Sequence, residues 1–217
     1  MVRIILLLLV SIEIYAAPVI VPAPPELAAN GYLLIDASTG KVLVAHNGEQ
    51  RLPPASLTKI MTSYVAAKQL ALGTISLEDQ VDISVEAWRM EGSRMFVREG
   101  TKVRLEDLIR GIVIQSGNDA SVAVAEHIAG SESAFAELMN QYALQLGMTG
   151  TNYVNSTGLP DENHYTTAHD LALLTIALVS EFPEHYSIYK ERSFTYGAPG
   201  EQPKRQSNRN KLLFRDS

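Results

Sequence analysis

The chain has 217 residues, of which 46% are hydrophobic and 19% charged, so it is long enough for one sizeable domain and is neither disordered nor fibrous. Its 18 basic and 24 acidic residues give a net charge of −6, and because no block of Lys or Arg is present to follow a phosphate backbone, we predict no nucleic-acid binding. The absence of cysteine excludes disulfides, zinc–thiolate sites and a thiol nucleophile.

The N-terminus has the pattern of a signal peptide, which we assign to residues 1–16. Arg3 precedes the apolar run Ile4–Val10, and small residues follow. The run is shorter than the roughly 20 apolar residues that cross a bilayer, so we favour export with cleavage near Ala16 over a retained anchor. Residues 17–29 are rich in proline and are expected to form an extended leader to a folded domain at residues 30–217.

The first elements of that domain are predicted to be a β-hairpin followed by a helix. Strand-like runs occur at Tyr32–Asp36 and Lys41–Ala45 with turn-forming residues between them. After Pro53, apolar residues recur at intervals of three and four, which predicts a helix from about Ser56 to Leu70. A weak strand is expected at Ser93–Val97.

Helical patterns dominate the remainder of the chain. A long polar loop is predicted at Thr151–Tyr165, and Thr167 to Asp170 has the form of a capping box that starts a helix. The predicted helices after the weak strand cover residues 105–115, 119–129, 133–146 and 167–179. The fold class predicted from these patterns is α+β, with an N-terminal hairpin and a mostly helical body.

A Ser-x-x-Lys sequence lies where the first predicted helix begins, at Ser56 to Lys59. The pattern is weak alone, because it also occurs at Ser38–Lys41 and Ser187–Lys190. Only Ser56 opens a strongly amphipathic helix, where free backbone amides favour negative charge on a serine oxygen. Lys59 lies on the same helix face and can reach the Ser56 hydroxyl. The alternative is that Ser56 caps the helix and Lys59 is solvated.

A second motif, Ser116-Gly117-Asn118, lies at a tight junction between two predicted helices. There a hydroxyl can relay a proton and an amide can hold a peptide. The alternative is an ordinary helix break in which Ser116 or Asn118 caps the next helix. The combination of the two motifs, more than either motif alone, favours a serine acyl-transfer site.

With these motifs the chain resembles the low-molecular-weight penicillin-binding proteins, which are serine D-alanyl-D-alanine carboxypeptidases. The resemblance covers about residues 29–217. The segments that carry it are Leu34–Gly40, Pro54–Lys59, Gly92–Phe96, Ile114–Ala120, Asn155–Leu159 and Asn208–Asn210.

The resemblance implies a β-lactamase/transpeptidase-like fold and an exported bacterial enzyme of the periplasm or cell envelope. It further implies that the penultimate D-alanine of peptidoglycan stem peptides, or a β-lactam antibiotic, acylates Ser56. In that family the first-motif lysine, here Lys59, is the base. Ser116 assists proton transfer and Asn118 contacts the substrate backbone.

No cofactor or metal is expected. The five histidines show no zinc-binding spacing, and the pair in the polar loop and the next helix start is most simply explained by loop and cap polarity. They are His46, His127, His164, His169 and His185.

The third motif of the family, Lys-Thr-Gly, does not occur in these residues. Neither Thr-Gly nor Ser-Gly follows Lys190, Lys204 or Lys211. The resemblance implies that this motif lies on a strand that lines the cleft, supplies an oxyanion-hole amide and binds the substrate carboxylate. It also implies that further strands, a β-rich second domain and a C-terminal membrane-attachment segment follow. We therefore expect an incomplete catalytic domain with later sheet strands missing, either as a fragment or as a natural truncation.

Three alternatives to the carboxypeptidase interpretation stay open. The first is a non-catalytic remnant or peptidoglycan-binding protein, because Lys-Thr-Gly is absent. The second is a D,D-endopeptidase, since the sequence does not distinguish removal of a terminal D-alanine from cleavage of a cross-link. The third is a serine β-lactamase, for which a class A enzyme would have Glu-x-x-Asn in the long loop, and Glu162-Asn163 does not fit it.

Overall fold

The structure is a computed structural model that describes residues 23–215. The proposed signal peptide lies outside these residues, as does the first part of the proline-rich leader. The described part of the leader, residues 23–29, is exposed and contains neither helix nor strand.

The predicted hairpin is present as strands β1 (Tyr32–Ile35) and β2 (Val42–His46), which pair antiparallel. The Asp36 carboxylate accepts hydrogen bonds from the turn, including one from the Ser38 N–H at 2.9 Å. One face of β1 packs against the last long helix of the body, whereas Leu34 and Val42 are about half exposed. The hairpin is therefore only partly covered by the described part of the chain.

Within residues 23–215 seven α-helices form the body, and the four long ones begin and end within a few residues of the predicted positions. The helix after the hairpin is terminated by Gly73, which adopts the left-handed conformation (φ 71°) that favours glycine. Thr167 accepts a hydrogen bond from the Asp170 N–H at 3.0 Å, which confirms the predicted cap. The helices are α1 (Thr58–Leu72), α2 (Val85–Arg89), α3 (Leu105–Arg110), α4 (Asn118–Ala129), α5 (Glu132–Gln145), α6 (Ala168–Glu181) and α7 (Pro183–Tyr186).

Two short antiparallel strand pairs were not predicted. Strand β3 (Gln80–Asp82) pairs with β4 (Lys102–Arg104), and β5 (Ser193–Tyr196) pairs with β6 (Lys204–Ser207). Each strand has only three or four residues, which is too short for a clear alternating pattern. The observed α+β class matches the prediction.

The strand predicted at Ser93–Val97 is wrong. Three successive backbone N–H groups in this segment, those of Met95, Phe96 and Val97, donate to the buried carboxylate of Asp119 at 2.8 to 3.1 Å. Because these donors are already bonded to a side chain, the segment forms a loop rather than a ladder with a neighbouring strand.

Two apolar clusters hold the helices together. The first lies around α3 and α4, with Leu105, Leu108 and Val124 fully buried. The second joins α1, α5 and α6 and includes Met61 and Phe135. Helix α1 contacts α4, α5 and α6, so both clusters fix its position, and with it the position of the Ser-x-x-Lys sequence at its start.

A π-helical turn, Gly111–Gln115, separates α3 from the second motif, whereas a single helix was predicted through Gln115. Gly111 allows a close approach, because a Cβ there would lie 2.3 Å from the Met95 sulfur. The turn ends at Ser116, which adopts the left-handed conformation with φ 61° and ψ 40°. Such turns occur frequently at functional sites.

None of the helices that the structure describes is both long and apolar enough to cross a membrane.

Candidate active site

Ser56 lies in a single 3₁₀ turn, Ala55–Leu57, that leads directly into α1. The N-cap position of α1 is Leu57, and no side chain caps the helix. The alternative in which Ser56 merely caps the helix is therefore wrong. Ser56 is exposed, so its hydroxyl group is available to a ligand at the entrance to the helix.

Lys59, the second residue of α1, is buried. Its side chain is bonded rather than solvated: Nζ donates to Asn118 Oδ1 and to the Thr157 carbonyl oxygen, each at 2.7 Å. Only 5% of the residue is exposed, so the solvated alternative is also wrong. With two of its three donors satisfied, the ammonium group retains one for a further partner.

Burial, together with the smaller effect of the positive charge of Arg209, lowers the pKa of Lys59 from 10.5 to about 8. Asp119 and Glu132 act in the opposite direction. Removing an ammonium group from water disfavours its charged form. At pH 7 a pKa of 8 leaves roughly a tenth of the lysine neutral, compared with about 0.03% at 10.5. The neutral amine is the form that can accept a proton.

The second motif is brought to Lys59 by the start of α4. Gly117 is the N-cap residue and makes no side-chain cap, so the alternative in which Ser116 or Asn118 caps this helix is wrong. Asn118 accepts from Lys59, while its Nδ2 donates to the Glu91 carbonyl oxygen at 2.6 Å. Within residues 23–215 the buried Ser116 Oγ has no hydrogen-bond partner, which leaves it available to a ligand.

Asp119 was not predicted as part of the site, yet its hydrogen bonds hold a neighbouring loop in place. Its carboxylate accepts the three N–H groups of the loop at residues 95–97. The loop in turn accepts the Asn118 N–H through the Ser93 carbonyl at 2.7 Å. The only signal in the sequence was its place in the segment Ile114–Ala120, which carried the family resemblance.

A tight turn at residues 155–158 also contacts Lys59, and it was not predicted as part of the site. The Asn155 side chain accepts from the N–H groups of Thr157 (3.1 Å) and Gly158 (2.7 Å). This arrangement presents the Thr157 carbonyl to Lys59. Gly158 has φ 85°, and a Cβ there would lie 1.8 Å from the Ala55 carbonyl oxygen. The turn thus packs directly against the backbone that carries Ser56.

Thr58, which lies between Ser56 and Lys59 in the sequence, forms a buried pair with His164. Thr58 Oγ1 lies 2.7 Å from His164 Nε2, and the Val154 N–H donates to His164 Nδ1 at 3.1 Å. Because Nδ1 accepts, the neutral ring carries its proton on Nε2 and donates to Thr58. Burial lowers the pKa of His164, so the ring stays neutral near pH 7.

Arg209 brings a positive charge close enough to lower the pKa of Lys59. Its guanidinium group donates to Ser93 Oγ, and its backbone N–H donates to the Ile114 carbonyl oxygen at 3.2 Å. A cleft of about 510 Å³ opens between Ser116 and Arg209 on one side and Tyr186 on the other. The first-motif residues do not line this cleft. The hydrogen bonds of Lys59, rather than this cleft, therefore mark the candidate site.

The described residues contain no group of three or more His, Asp or Glu side chains arranged to hold a metal ion.

A serine at a helix entrance, a lysine with a lowered pKa and an unpartnered second serine define the Ser–Lys class of acyl-transfer sites. The comparisons with known proteins agree with this class. The family of D-alanyl-D-alanine carboxypeptidases, peptidase family S11, matches residues 19–217. The chain belongs to this family.

Among curated relatives, D-alanyl-D-alanine carboxypeptidase DacA of Haemophilus influenzae is 43% identical over 194 residues, which are 88% of this chain and 48% of the relative. DacC of Escherichia coli is 43% identical over 196 residues, with the same shares covered. The chain therefore spans about half the length of these relatives.

Solved structures confirm the β-lactamase/transpeptidase-like fold. The carboxypeptidase DacD from Francisella tularensis has a TM-score of 0.85 at 34% identity, covering 92% of this chain and 60% of that one. Penicillin-binding protein 5 from Haemophilus influenzae has a TM-score of 0.84 at 42% identity, covering 88% and 55%.

Proposed function

We propose that this chain carries the nucleophile and base of a serine-type D-alanyl-D-alanine carboxypeptidase. Its substrate would be the peptidoglycan stem peptide, from which it removes the terminal D-alanine. The observation that carries the proposal is the buried Lys59, three residues after the exposed Ser56 and bonded to Asn118 and Thr157. Family membership and the names of the relatives support the same substrate.

In the first step, Ser56 Oγ attacks the carbonyl carbon of the penultimate D-alanine. Neutral Lys59 accepts the hydroxyl proton, and the lowered pKa supplies the neutral amine. The C–N bond to the terminal D-alanine then breaks. The departing nitrogen receives a proton from the lysine through Ser116 Oγ, which has no other partner among the described residues.

In the second step, water attacks the acyl carbonyl carbon and the ester C–O bond to Ser56 breaks. One proton of the water passes through Lys59 to Ser56 Oγ, and the shortened peptide leaves with a new terminal carboxyl group. The same centre accounts for acylation by a β-lactam, because attack on the ring carbonyl opens the ring C–N bond. Since the amine remains tethered to the acyl group, it does not leave the site. We assign to Asn118 a contact with the substrate backbone, as the resemblance to the family implies.

The location that follows from this substrate is the bacterial cell envelope, where stem peptides occur. We infer export from the signal-peptide pattern of residues 1–16 and from the chemistry of the substrate. The proposal needs no cofactor or metal.

The test is acylation of Ser56 by a fluorescent penicillin, carried out on the protein as its gene encodes it. We expect labelling of the wild type and none of Ser56→Ala. Ser38→Ala is the matched control, because Ser38 opens another Ser-x-x-Lys sequence but lies in the exposed hairpin turn. Labelling of Ser56→Ala, or none of the wild type, would overturn the assignment.

Substrate class is tested separately by mass spectrometry of peptides. Release of D-alanine from a peptide ending in D-Ala-D-Ala is the expected result. Cleavage of a cross-linked peptide dimer instead would identify an endopeptidase, an activity named for a Pseudomonas aeruginosa relative that is 33% identical over 185 residues. Rapid turnover of a chromogenic cephalosporin would identify a β-lactamase. Binding to peptidoglycan without any reaction would identify a non-catalytic protein.

A further inference from the structure

Glu132, the first residue of α5, binds the turn that contacts Lys59. Its Oε1 accepts from the Ser156 N–H at 3.0 Å and from the Ser156 hydroxyl group at 2.6 Å. The helix is already capped by Ser131, which accepts the Ala134 N–H. Glu132 is therefore not needed as the cap, and its carboxylate is committed to Ser156.

The turn connects Glu132 to the base through two successive carbonyl groups. The Ser156 carbonyl accepts from the Thr62 hydroxyl group at 2.7 Å, and the Thr157 carbonyl accepts from Lys59 Nζ at 2.7 Å. Thr62 and Lys59 lie three residues apart on α1 and face the same side. We call the turn at residues 155–158 the strap. Glu132 fixes one end of this strap, and the other contacts of the strap are Lys59 and Thr62.

The carboxylate also acts on Lys59 through charge. The charged groups that act on the lysine are Arg209 from the segment after β6, Asp119 from α4 and Glu132 from α5. Asp119 is already bonded to four backbone N–H groups. Arg209 disfavours the ammonium form, whereas the two carboxylates favour it.

We propose that Glu132 is a positioning residue for Lys59: it holds the 155–158 strap against the base and partly offsets the positive charge of Arg209. Two consequences follow. The strap keeps the Thr157 carbonyl as a fixed acceptor, which holds Lys59 Nζ in place. The negative charge raises the pH above which the lysine becomes neutral. The catalytic meaning of this role rests on the proposed function.

Glu132→Gln separates these two effects. The glutamine oxygen can still accept both Ser156 donors, so the strap is retained while the charge is lost. Glu132→Ala removes both. Glu137→Gln is the matched control, because it removes the same charge from an exposed position on the same helix. Circular dichroism checks that each variant is folded.

The decisive measurement is the titration of Lys59 by NMR of ¹³C-labelled lysine, which needs no enzymatic activity. We expect the midpoint, about 8 in the wild type, to move to lower pH by on the order of half a unit in Glu132→Gln. Glu137→Gln should leave it unchanged. Hydrogen exchange of the Ser156 amide should be about tenfold faster in Glu132→Ala and close to wild type in Glu132→Gln.

An unchanged Lys59 midpoint in Glu132→Gln, or unchanged Ser156 protection in Glu132→Ala, would overturn the proposal. These outcomes are distinct from failure of the proposed function, which would appear as an unlabelled wild type in the penicillin experiment. If the wild type is labelled, the acid limb of the acylation rate of Glu132→Gln should move to lower pH together with the Lys59 midpoint.

Discussion

Lys59 Nζ and Asn118 Oδ1 are 2.7 Å apart, so one hydrogen bond joins the two sequence motifs, which are 59 residues apart in the chain. The asparagine can accept from the ammonium form of the lysine but places no charge beside it.

Asn118→Asp would place a carboxylate against the lysine and stabilise its ammonium form, raising the pKa. We expect the acid limb of penicillin acylation to move to higher pH and the rate at pH 7 to fall about 10- to 100-fold. Stopped-flow fluorescence across pH 6 to 10 would measure this. Asn163→Asp, which makes the same change in an exposed loop, serves as the control. An unshifted profile in Asn118→Asp would show that Lys59 is not the group titrating.

Gly158→Ala should damage the site through a backbone clash. The added Cβ would lie 1.8 Å from the Ala55 carbonyl oxygen, next to Ser56, and φ is 85°. Gly130→Ala is a close control, since its φ is 82° but no other atom lies within 4 Å of the added Cβ. We expect Gly130→Ala to cost about 1 kcal/mol in unfolding free energy. Gly158→Ala should cost more and also abolish labelling of Ser56. Equal effects of the two substitutions would contradict this.

Asp119→Ala should detach the loop at residues 95–97, because three buried N–H groups lose their acceptor. We expect a loss of about 3 kcal/mol in unfolding free energy, measured by urea denaturation, together with loss of acylation. Asp82→Ala removes an exposed carboxylate paired with Lys102 and should change stability by less than about 0.5 kcal/mol. Similar losses in both variants would show that the Asp119 hydrogen bonds have little structural effect.

His185 should make the protein sensitive to acid. Its Nε2 lies 2.7 Å from the hydroxyl group of buried Ser63, and burial lowers its pKa from 6.5 to about 4. Between these values the unfolded state binds more protons, so stability falls as the pH falls from 6.5 to 4. Allowing for partial exposure, we expect the wild type to lose about 1 to 2 kcal/mol more than His185→Gln between pH 7.5 and pH 4.5. Parallel losses in urea titrations would contradict this.

The sequence predicted the parts of the fold and site that depend on local pattern. Helix α1 follows from the spacing of its apolar residues. The four predicted site residues were found through two short motifs, of which Lys59 and Asn118 are in direct contact and Ser56 and Ser116 lie on the adjoining turns. Burial of Lys59 excluded the alternative of a solvated lysine, and burial is a property of the whole packed structure.

The residues that sequence reasoning missed act through backbone groups of distant segments. Asp119 accepts N–H groups more than 20 residues away, and the Thr157 carbonyl reaches Lys59 across 98 positions. Neither contact has a periodic signature. The Ser93–Val97 segment was predicted as a strand because composition alone does not reveal that its donors are bonded to a carboxylate.

The π-helical turn at Gly111–Gln115 makes the direction of Ser116 depend on the type of helix that precedes it. A π turn holds about one more residue than an α turn. If the same five residues continued α3 as a regular helix, Ser116 would therefore be rotated by about 100° around the helix axis. The second motif would keep its sequence but lose its direction, so the direction of Ser116 depends on the wider turn being retained.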